Sequence, residues 1–222
     1  MSQPKQILFI HHGSGQGGAA VSLHTLIKHL DRSSFDISLV FDKRFDSNFQ
    51  FFSDLNIKLY PSYVCPFVHT SSTWRWHTLK GSFSLLRWLL YEFPITISSL
   101  SILLIRVNPD LVHLNGLSLL IYSPFLHFFN ISIVQHIREP LNFGVFGFRR
   151  ALLRFISSTC IDHRIAISHD NAAPFRFSGT NLSTIYNPVD INLPAESDLA
   201  ELRRLYSVHS HERILFFPGG SV

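Results

Sequence analysis

The chain has 222 residues, of which 46% are hydrophobic and 15% are charged, so it can bury a core as one large domain or two small ones. Its net charge of +4 suits phosphate-bearing substrates or anionic lipids, and without a dense Lys/Arg block nucleic acid is not an expected partner. The 21 phenylalanines predict apolar surface beyond the core.

Strand-length apolar runs alternate with helical patterns along most of the chain. The predicted strands are 7–11, 37–41, 57–60, 111–114, 131–137, 164–167 and 184–186. The predicted helices are 18–30, 117–129 and 148–158. Continuously apolar strands separated by helices predict an α/β fold, a Rossmann-like parallel sheet with helices on both faces.

A glycine loop joins the first predicted strand to the first helix. Gly13, Gly15 and Gly18 fit the pattern G-x-G-x-x-G, in which backbone approaches a phosphate at a helix N-terminus. His11 and His12 precede this loop, and we expect one of them to point into a cleft. Dinucleotide binding needs, besides the glycine loop, an acidic residue at the end of the second strand.

Asp42 stands at the end of the second predicted strand. An NAD(P)-binding oxidoreductase therefore remains one open interpretation of the glycine loop.

Residues 63–107 are rich in aromatic, apolar and basic side chains. Arg87, Glu92 and Pro94 interrupt any run of about 20 apolar residues, so a membrane-crossing helix is not expected. One interpretation is a pair of helices that covers the sheet. The other is a peripheral membrane contact through residues 74–93, because Trp, Phe and Leu alternate there with Lys and Arg.

Polar residues follow two of the later predicted strands. His136 ends one apolar strand and Asn115 follows another, and ligands of open α/β sheets bind at such carboxyl ends. Arg138 and Glu139 come next, either as a solvated ion pair or as a cleft-facing charged pair. His113 lies within a strand and is expected to be structural. No acidic or Cys partners stand at ligand spacing, so no metal site is expected.

The tripeptide Ser168-His169-Asp170 contains the residue types of a hydrolase triad. Triad side chains converge from separate segments, so adjacent residues rarely form one. Ser168 is instead predicted to be the N-cap of a helix.

The two cysteines predict the redox environment. Cys65 and Cys160 lie far apart in the sequence and are expected to be free thiols in a reducing compartment. The first residues lack the apolar core and cleavage site of a signal peptide. The expected location is therefore cytoplasmic, including the cytoplasmic face of a membrane.

Five segments, in order along the chain, carry a family resemblance. They are GGA at 17–19, NPDLVHLNG at 108–116, VQHIREP at 134–140, RIAIS at 164–168 and IYNPVD at 185–190. Together they resemble the amino-terminal half of the GT-B glycosyltransferases, specifically the family 4 enzymes that use nucleotide sugars with retention.

The resemblance implies a fold and a set of site residues. In that family two Rossmann-like domains face each other across a cleft, and the first mainly holds the acceptor. It implies a catalytic role near the transferred sugar for His136. It implies a donor-diphosphate and acceptor loop at Gly15, Gly17 and Gly18, and contacts to acceptor or phosphate from Arg138 and Glu139. His12 and Asn115 are expected to line the same cleft because of their positions at the strand ends.

The chain departs from the family pattern in lacking the motifs of the family's second domain. The basic pair and the E-x7-E stretch of the family's second domain do not occur in it. The expected organisation is an amino-terminal domain at 1–190, a linker and helix at 191–212, and a truncated start of the second domain at 213–222. We expect a fragment, or a partner chain that supplies the second half.

The resemblance implies retaining transfer from a nucleotide diphosphate sugar to a hydroxyl of a surface polysaccharide or lipid-linked glycan. It implies no cofactor beyond the sugar nucleotide, and the chain by itself is expected to be inactive. A non-catalytic partner subunit of a split glycosyltransferase stays open beside the oxidoreductase.

Overall fold

Seven parallel strands form one sheet in the computed structural model, which describes residues 3–13, 17–67, 78–141, 143, 147–177, 181–188 and 196–207. The strands are β1 (Lys5–His11), β2 (Phe35–Asp42), β3 (Lys58–Ser62), β4 (Leu111–Asn115), β5 (Ser132–Ile137), β6 (His163–Ala166) and β7 (Leu182–Thr184). Their order is β3-β2-β1-β4-β5-β6-β7, with every neighbouring pair parallel. The predicted Rossmann-like α/β fold is confirmed.

The helices connect and cover these strands. They are α1 (Gly18–His29), α2 (Ser47–Phe52), α3 (Leu79–Arg87), α4 (Phe93–Val107), α5 (Ser123–Phe128), α6 (Phe148–Cys160), α7 (His169–Ala172) and α8 (Glu196–Leu205). Short 3-10 turns occupy Ser53–Leu55, Leu117–Tyr122 and Ala173–Phe175, and a π-helical segment occupies Trp88–Glu92.

The chain divides into two compact units, Met1–Pro188 and Val189–Val222. The sheet and α1 to α7 belong to the first unit, and α8 belongs to the second. Helix α8 falls within the stretch 191–212. The predicted start of a second domain at 213–222 lies outside the described residues.

Both faces of the sheet are covered, which is why the central strands read as continuous apolar runs. On one face, Phe9 of β1 packs with Leu23 and Ile27 of α1. On the other, Leu8 and Val112 belong to a larger cluster to which the helices after β3 contribute. Burial of one such side chain stabilises the fold by about 1.5–3 kcal/mol.

The strand order reverses next to β1. The chain runs from β1 to β2 and β3 on one side, then returns to place β4 against the other edge of β1. The carboxyl ends of β1 and β4 therefore lie at the topological switch point, where open α/β sheets bind their ligands.

The expected helical pair is instead one continuous helix over Leu79–Val107, with the π segment between α3 and α4. Phe93 N–H bonds to the carbonyl of Trp88, one residue further back than in an α-helix. This wider turn stands directly before Pro94, which lacks an N–H donor. Proline thus coincides with a local widening of the helix rather than with its end.

The predicted helix at 117–129 begins as a 3-10 turn over Leu117–Tyr122, and only Ser123–Phe128 is α-helical. Pro124 explains the boundary, since proline favours the first turn of a helix. The last predicted strand lies two residues earlier than expected, at Leu182–Thr184. Helix α2 was missed because six residues are too few to show a helical period.

Candidate functional site

Four buried polar side chains meet at the carboxyl ends of β1, β4 and β5. His11 is the last residue of β1, Asn115 is the last of β4, and His136 is the penultimate residue of β5. Arg138 follows β5, and its side chain turns back over the strand ends to reach both Asn115 and His136. These residues expose 1%, 0%, 7% and 8% of their surface in that order.

Asn115 is the centre of this cluster. Its Oδ1 accepts a hydrogen bond from Arg138 Nε at 2.7 Å. Its Nδ2 donates to the carbonyl of Ala19 at 3.2 Å and lies 3.0 Å from Nδ1 of His11. A strand end, the first turn of α1 and the segment after β5 are therefore connected by one amide.

The hydrogen bonds that the Arg138 side chain makes to described residues all go to uncharged groups. Besides Asn115, its Nη1 donates to Asn187 Oδ1 at 2.8 Å, and its Nη2 lies 3.2 Å from His136 Nδ1. Asn187 Oδ1 also accepts from Ser22 Oγ at 2.9 Å. Within the described part of the chain no carboxylate lies at ion-pair distance from this guanidinium.

Burial keeps the site histidines uncharged. It lowers the pKa of His136 to about 3, and the Arg138 cation adds to that shift. It also lowers the pKa of His11 to about 3, with smaller contributions from His12 and Arg138. The pKa of Arg138 falls to about 10, again because of burial, with an opposing effect of Glu139. At neutral pH both imidazoles are uncharged, so each can donate a hydrogen bond. Neither can serve as an efficient general acid, because that role needs a pKa near the working pH.

His113 lies in the interior of β4, as predicted for a structural residue. Its ring is packed between Phe9 and His136, with centroid distances of 4.8 and 5.4 Å. Burial holds the pKa of His113 well below its ordinary value. It supports the position of the His136 ring from below the strand end.

Glu139 and His12 converge on Gly116, which adopts a φ of +137°. Glu139 Oε2 accepts the N–H of Leu117 at 2.8 Å, and His12 Nε2 lies 2.8 Å from Ser118 Oγ. Arg138 and Glu139 therefore have different partners instead of forming the direct ion pair that was one of the two alternatives. Both Glu139 and His12 hold the start of the 3-10 turn after β4.

The glycine loop leads into this cluster. Gly17 is the N-cap of α1 and Gly18 is its first residue, and a Cβ on Gly18 would meet no described residue within 4 Å. Gly13 packs against the His11 ring, and its carbonyl accepts a hydrogen bond from Asn48 Nδ2 at 2.8 Å. Gly15 lies outside the described residues.

Asp42 does not present a free carboxylate at the end of β2. It is fully buried, and the single Nε–H of Arg44 is shared between its two oxygens at N···O distances of 2.9 and 3.0 Å, while Arg44 Nη2 donates to Oδ2. The carboxylate that would bind a ribose is thus occupied within the domain, which weighs against the dinucleotide interpretation.

Ser168 caps α7, as predicted. Its Oγ accepts the N–H of Asn171 at 3.1 Å. The expectation of an N-cap in place of a triad nucleophile is confirmed.

The structure brings three predicted site residues together directly, namely Asn115, His136 and Arg138. It brings His12 and Glu139 together around Gly116. Sequence reasoning missed Ser22 and Asn187 as parts of the site. Asn187 lay inside the quoted IYNPVD segment, so its signal was present, whereas Ser22 had none beyond its place in α1.

The fold and this strand-end site define a Rossmann-like domain of the kind found in GT-B glycosyltransferases. The model of Glycosyltransferase Family 4 matches residues 16–193, and the chain belongs to that family. No curated protein matches the chain significantly in sequence.

Solved structures share the fold at low sequence identity. Anabaena HepE in complex with UDP-glucose is 18% identical with a TM-score of 0.63, covering 91% of this chain and 50% of its own. The lipopolysaccharide outer core galactosyltransferase WaaB is 20% identical with a TM-score of 0.57, covering 87% of this chain and 50% of its own. Sucrose-phosphate synthase from Thermosynechococcus elongatus is 12% identical with a TM-score of 0.58, covering 90% and 52%. The chain thus spans about half the length of these proteins.

Proposed function

We propose that this chain is the acceptor-side domain of a retaining glycosyltransferase. The enzyme would transfer a sugar from a nucleotide diphosphate sugar to a hydroxyl of a surface polysaccharide or lipid-linked glycan. The observation that carries this proposal is the convergence of the α1 N-terminus and His136 on one polar cluster at the switch point. Family membership supports glycosyl transfer, and the UDP-glucose bound to Anabaena HepE supports a nucleotide sugar as the donor class.

The glycine loop supplies electrostatic stabilisation in this proposal. Gly17 and Gly18 open α1, whose first N–H groups and positive dipole end favour an anion. A departing nucleotide diphosphate gains negative charge as the glycosidic bond breaks. Donors fixed in advance near that charge stabilise the transition state more than the ground state.

His136 orients the sugar in this proposal. Its ring is neutral because burial lowers the pKa of His136 to about 3, so it donates a hydrogen bond without carrying a charge. Its position is held on one side by His113 and on the other by Arg138. Catalysis from this half of the enzyme then rests on positioning and not on proton transfer.

We also propose that the chain needs a second domain, supplied by a longer chain or by a partner. The test compares the purified 222-residue chain with the same chain joined to that second domain, whether it is encoded downstream or on a partner chain. Release of nucleoside diphosphate from UDP- and GDP-sugars is measured with lipid-linked acceptors. The joined protein is expected to transfer and the 222-residue chain is not. Transfer by the short chain alone would contradict the requirement, and no transfer by the joined protein would contradict the proposed activity.

A peripheral membrane contact is the last part of the proposal. By length and composition the helix over Leu79–Val107 could cross a membrane. Three residues of α4, Leu100, Leu103 and Leu104, are buried in the core of the domain, however, so this end of the helix is already packed against protein. We therefore propose that the helix lies on a membrane and does not span it.

The exposed side of this helix has the character of an interfacial helix. Its exposed apolar residues are Leu79, Phe83, Leu86, Leu89, Leu90, Tyr91, Ile95, Ile102 and Ile105. Lys80, Arg87 and Arg106 are exposed beside them, and the single acidic residue, Glu92, pairs with Arg87 at 2.8 Å. The expected surface is therefore an anionic bilayer. Residues 74–77 of the predicted contact lie outside the described residues.

A further inference from the structure

We propose that Arg138 is a positioning residue whose guanidinium fixes which nitrogen of His136 carries the proton and ties His136 to the first turns of α1. This inference rests on the proposed function only for its catalytic consequence. Arg138 itself is buried, and each of its three nitrogens bonds to a different residue of the domain.

The first step concerns the amide of Asn115. A guanidinium only donates hydrogen bonds, so the Asn115 atom 2.7 Å from Arg138 Nε must be the oxygen. The amide nitrogen then faces the Ala19 carbonyl and Nδ1 of His11. Because that nitrogen also only donates, Nδ1 of the neutral His11 ring must accept, and His11 carries its proton on Nε2.

The same logic sets the proton of His136. Arg138 Nη2 donates to Nδ1 of His136 over 3.2 Å, so Nδ1 is unprotonated and the proton of the neutral ring lies on Nε2. Nε2 of His136 is buried and has no hydrogen-bond partner among the described residues. Nε2 of His11 and of His113 is likewise buried without a partner among the described residues, so all three buried rings share this feature.

The guanidinium also connects His136 to α1 by two routes. One runs from Nε through Asn115 to the carbonyl of Ala19, the second residue of the helix. The other runs from Nη1 through Asn187 to the hydroxyl of Ser22. Both routes end within the first five residues after the glycine loop, so Arg138 sets where the α1 N-terminus stands relative to the His136 ring.

Only the planar fork of arginine can serve three acceptors in these directions. Lysine would keep the charge but concentrate its donors at one nitrogen. Since none of the three partners is a carboxylate, geometry and not ion pairing is what this residue contributes.

The test is nitrogen-15 NMR of the histidine rings in the 222-residue chain, comparing wild type with Arg138→Lys. In wild type, His136 is expected to show protonated Nε2 and unprotonated Nδ1. In Arg138→Lys we expect a mixture of both tautomers. Arg164→Lys is the matched control, because Arg164 is also a buried arginine but donates to Ser157 Oγ at 2.8 Å, away from the site.

A His136 ring protonated on Nδ1 in wild type would overturn the inference, as would the same tautomer mixture in Arg164→Lys.

A second measurement uses the joined two-domain enzyme. Arg138→Lys is expected to lower kcat about tenfold or more with a smaller change in KM, because the ligand is bound but misplaced. An unchanged kcat would refute the catalytic consequence. If the tautomers behave as expected and the wild-type joined enzyme transfers no sugar, the proposed function fails while the positioning role stands.

Discussion

Gly116 and Glu139 approach so closely that a Cβ on Gly116 would lie 3.1 Å from Glu139 Oε1. The same Cβ would lie 3.0 Å from Cε1 of His12, and the φ of Gly116 is +137°, a conformation that side chains rarely adopt. His12 after β1, Gly116 after β4 and Glu139 after β5 therefore meet at one point, and only glycine fits at position 116.

Gly116→Ala is expected to lower the free energy of unfolding by about 1–3 kcal/mol, through backbone strain and displacement of Glu139 and His12. Urea unfolding measures this change. Gly18→Ala is the matched control, because its Cβ meets nothing within 4 Å. Equal losses of stability from the two substitutions would contradict the claim that only glycine fits at position 116.

Gly18→Ala separates a ligand role from a structural role at the glycine loop. The described fold leaves room for the methyl group, so stability should stay the same or rise by up to about 1 kcal/mol. In the joined two-domain enzyme we expect at least about tenfold lower kcat/KM, because the methyl group enters the space where a diphosphate would approach. Unchanged kinetics would show that no ligand approaches Gly18.

The buried histidines predict sensitivity to acid. The pKa values of His11 and His136 fall to about 3 in the folded chain, from 6.5 in the unfolded chain, and that of His113 is also well below 6.5. The unfolded chain therefore binds more protons below pH 6.5, so stability is full above that pH and falls as the pH drops toward 3. One such histidine accounts for about 2 kcal/mol between pH 7 and pH 5.

Urea unfolding at several pH values measures this loss. His113→Phe keeps a ring of similar size and removes one titrating group, so it should reduce the steepness of the pH dependence. His127→Phe, at an exposed position on α5, is the comparison variant. A wild-type stability that is flat between pH 7 and pH 5 would contradict the buried neutral state.

Membrane binding is predicted to depend on the exposed side of the helix over Leu79–Val107. Leu90 is 57% exposed there, so Leu90→Glu removes apolar contact and adds repulsion from anionic lipid. We expect about tenfold weaker sedimentation with phosphatidylglycerol vesicles. Phe128→Glu on α5, 87% exposed before substitution, is the control and should have little effect. Equal losses would place the contact elsewhere, and resistance of the bound protein to high salt and alkaline carbonate would indicate a spanning helix.

The two cysteines, both free as predicted, should differ in reactivity. Cys65 is buried and donates to Glu92 Oε2 at 2.6 Å, and burial followed by that carboxylate raises the pKa of Cys65 to about 12. A thiol must lose its proton to react with iodoacetamide. At pH 8, mass spectrometry should show Cys160 modified first and Cys65 modified only on unfolding. Simultaneous modification would contradict the buried thiol.

The sequence pattern was sufficient to predict the α/β fold, because strands appear as short apolar runs and α1 shows apolar residues at helical spacing. Proline did not fix the helix boundaries by itself, since Pro94 lies inside a continuous helix while Pro124 stands in the first turn of one. For the site, strand-end position pointed to Asn115 and His136, but it could not distinguish a solvated Arg138 from a buried one.

The sequence by itself determined the class of fold, the free thiols and the strand ends at which polar residues gather, because these follow from periodicity and spacing along the chain. Only the tertiary structure decided that Arg138 donates hydrogen bonds to Asn115, Asn187 and His136 and forms no ion pair with Glu139. It also decided that the carboxylate of Asp42 is bound by Arg44. The physical reason is that partners such as Asn115 and Asn187 come from segments 72 residues apart, and the direction of a side chain at a strand end depends on its neighbours in space.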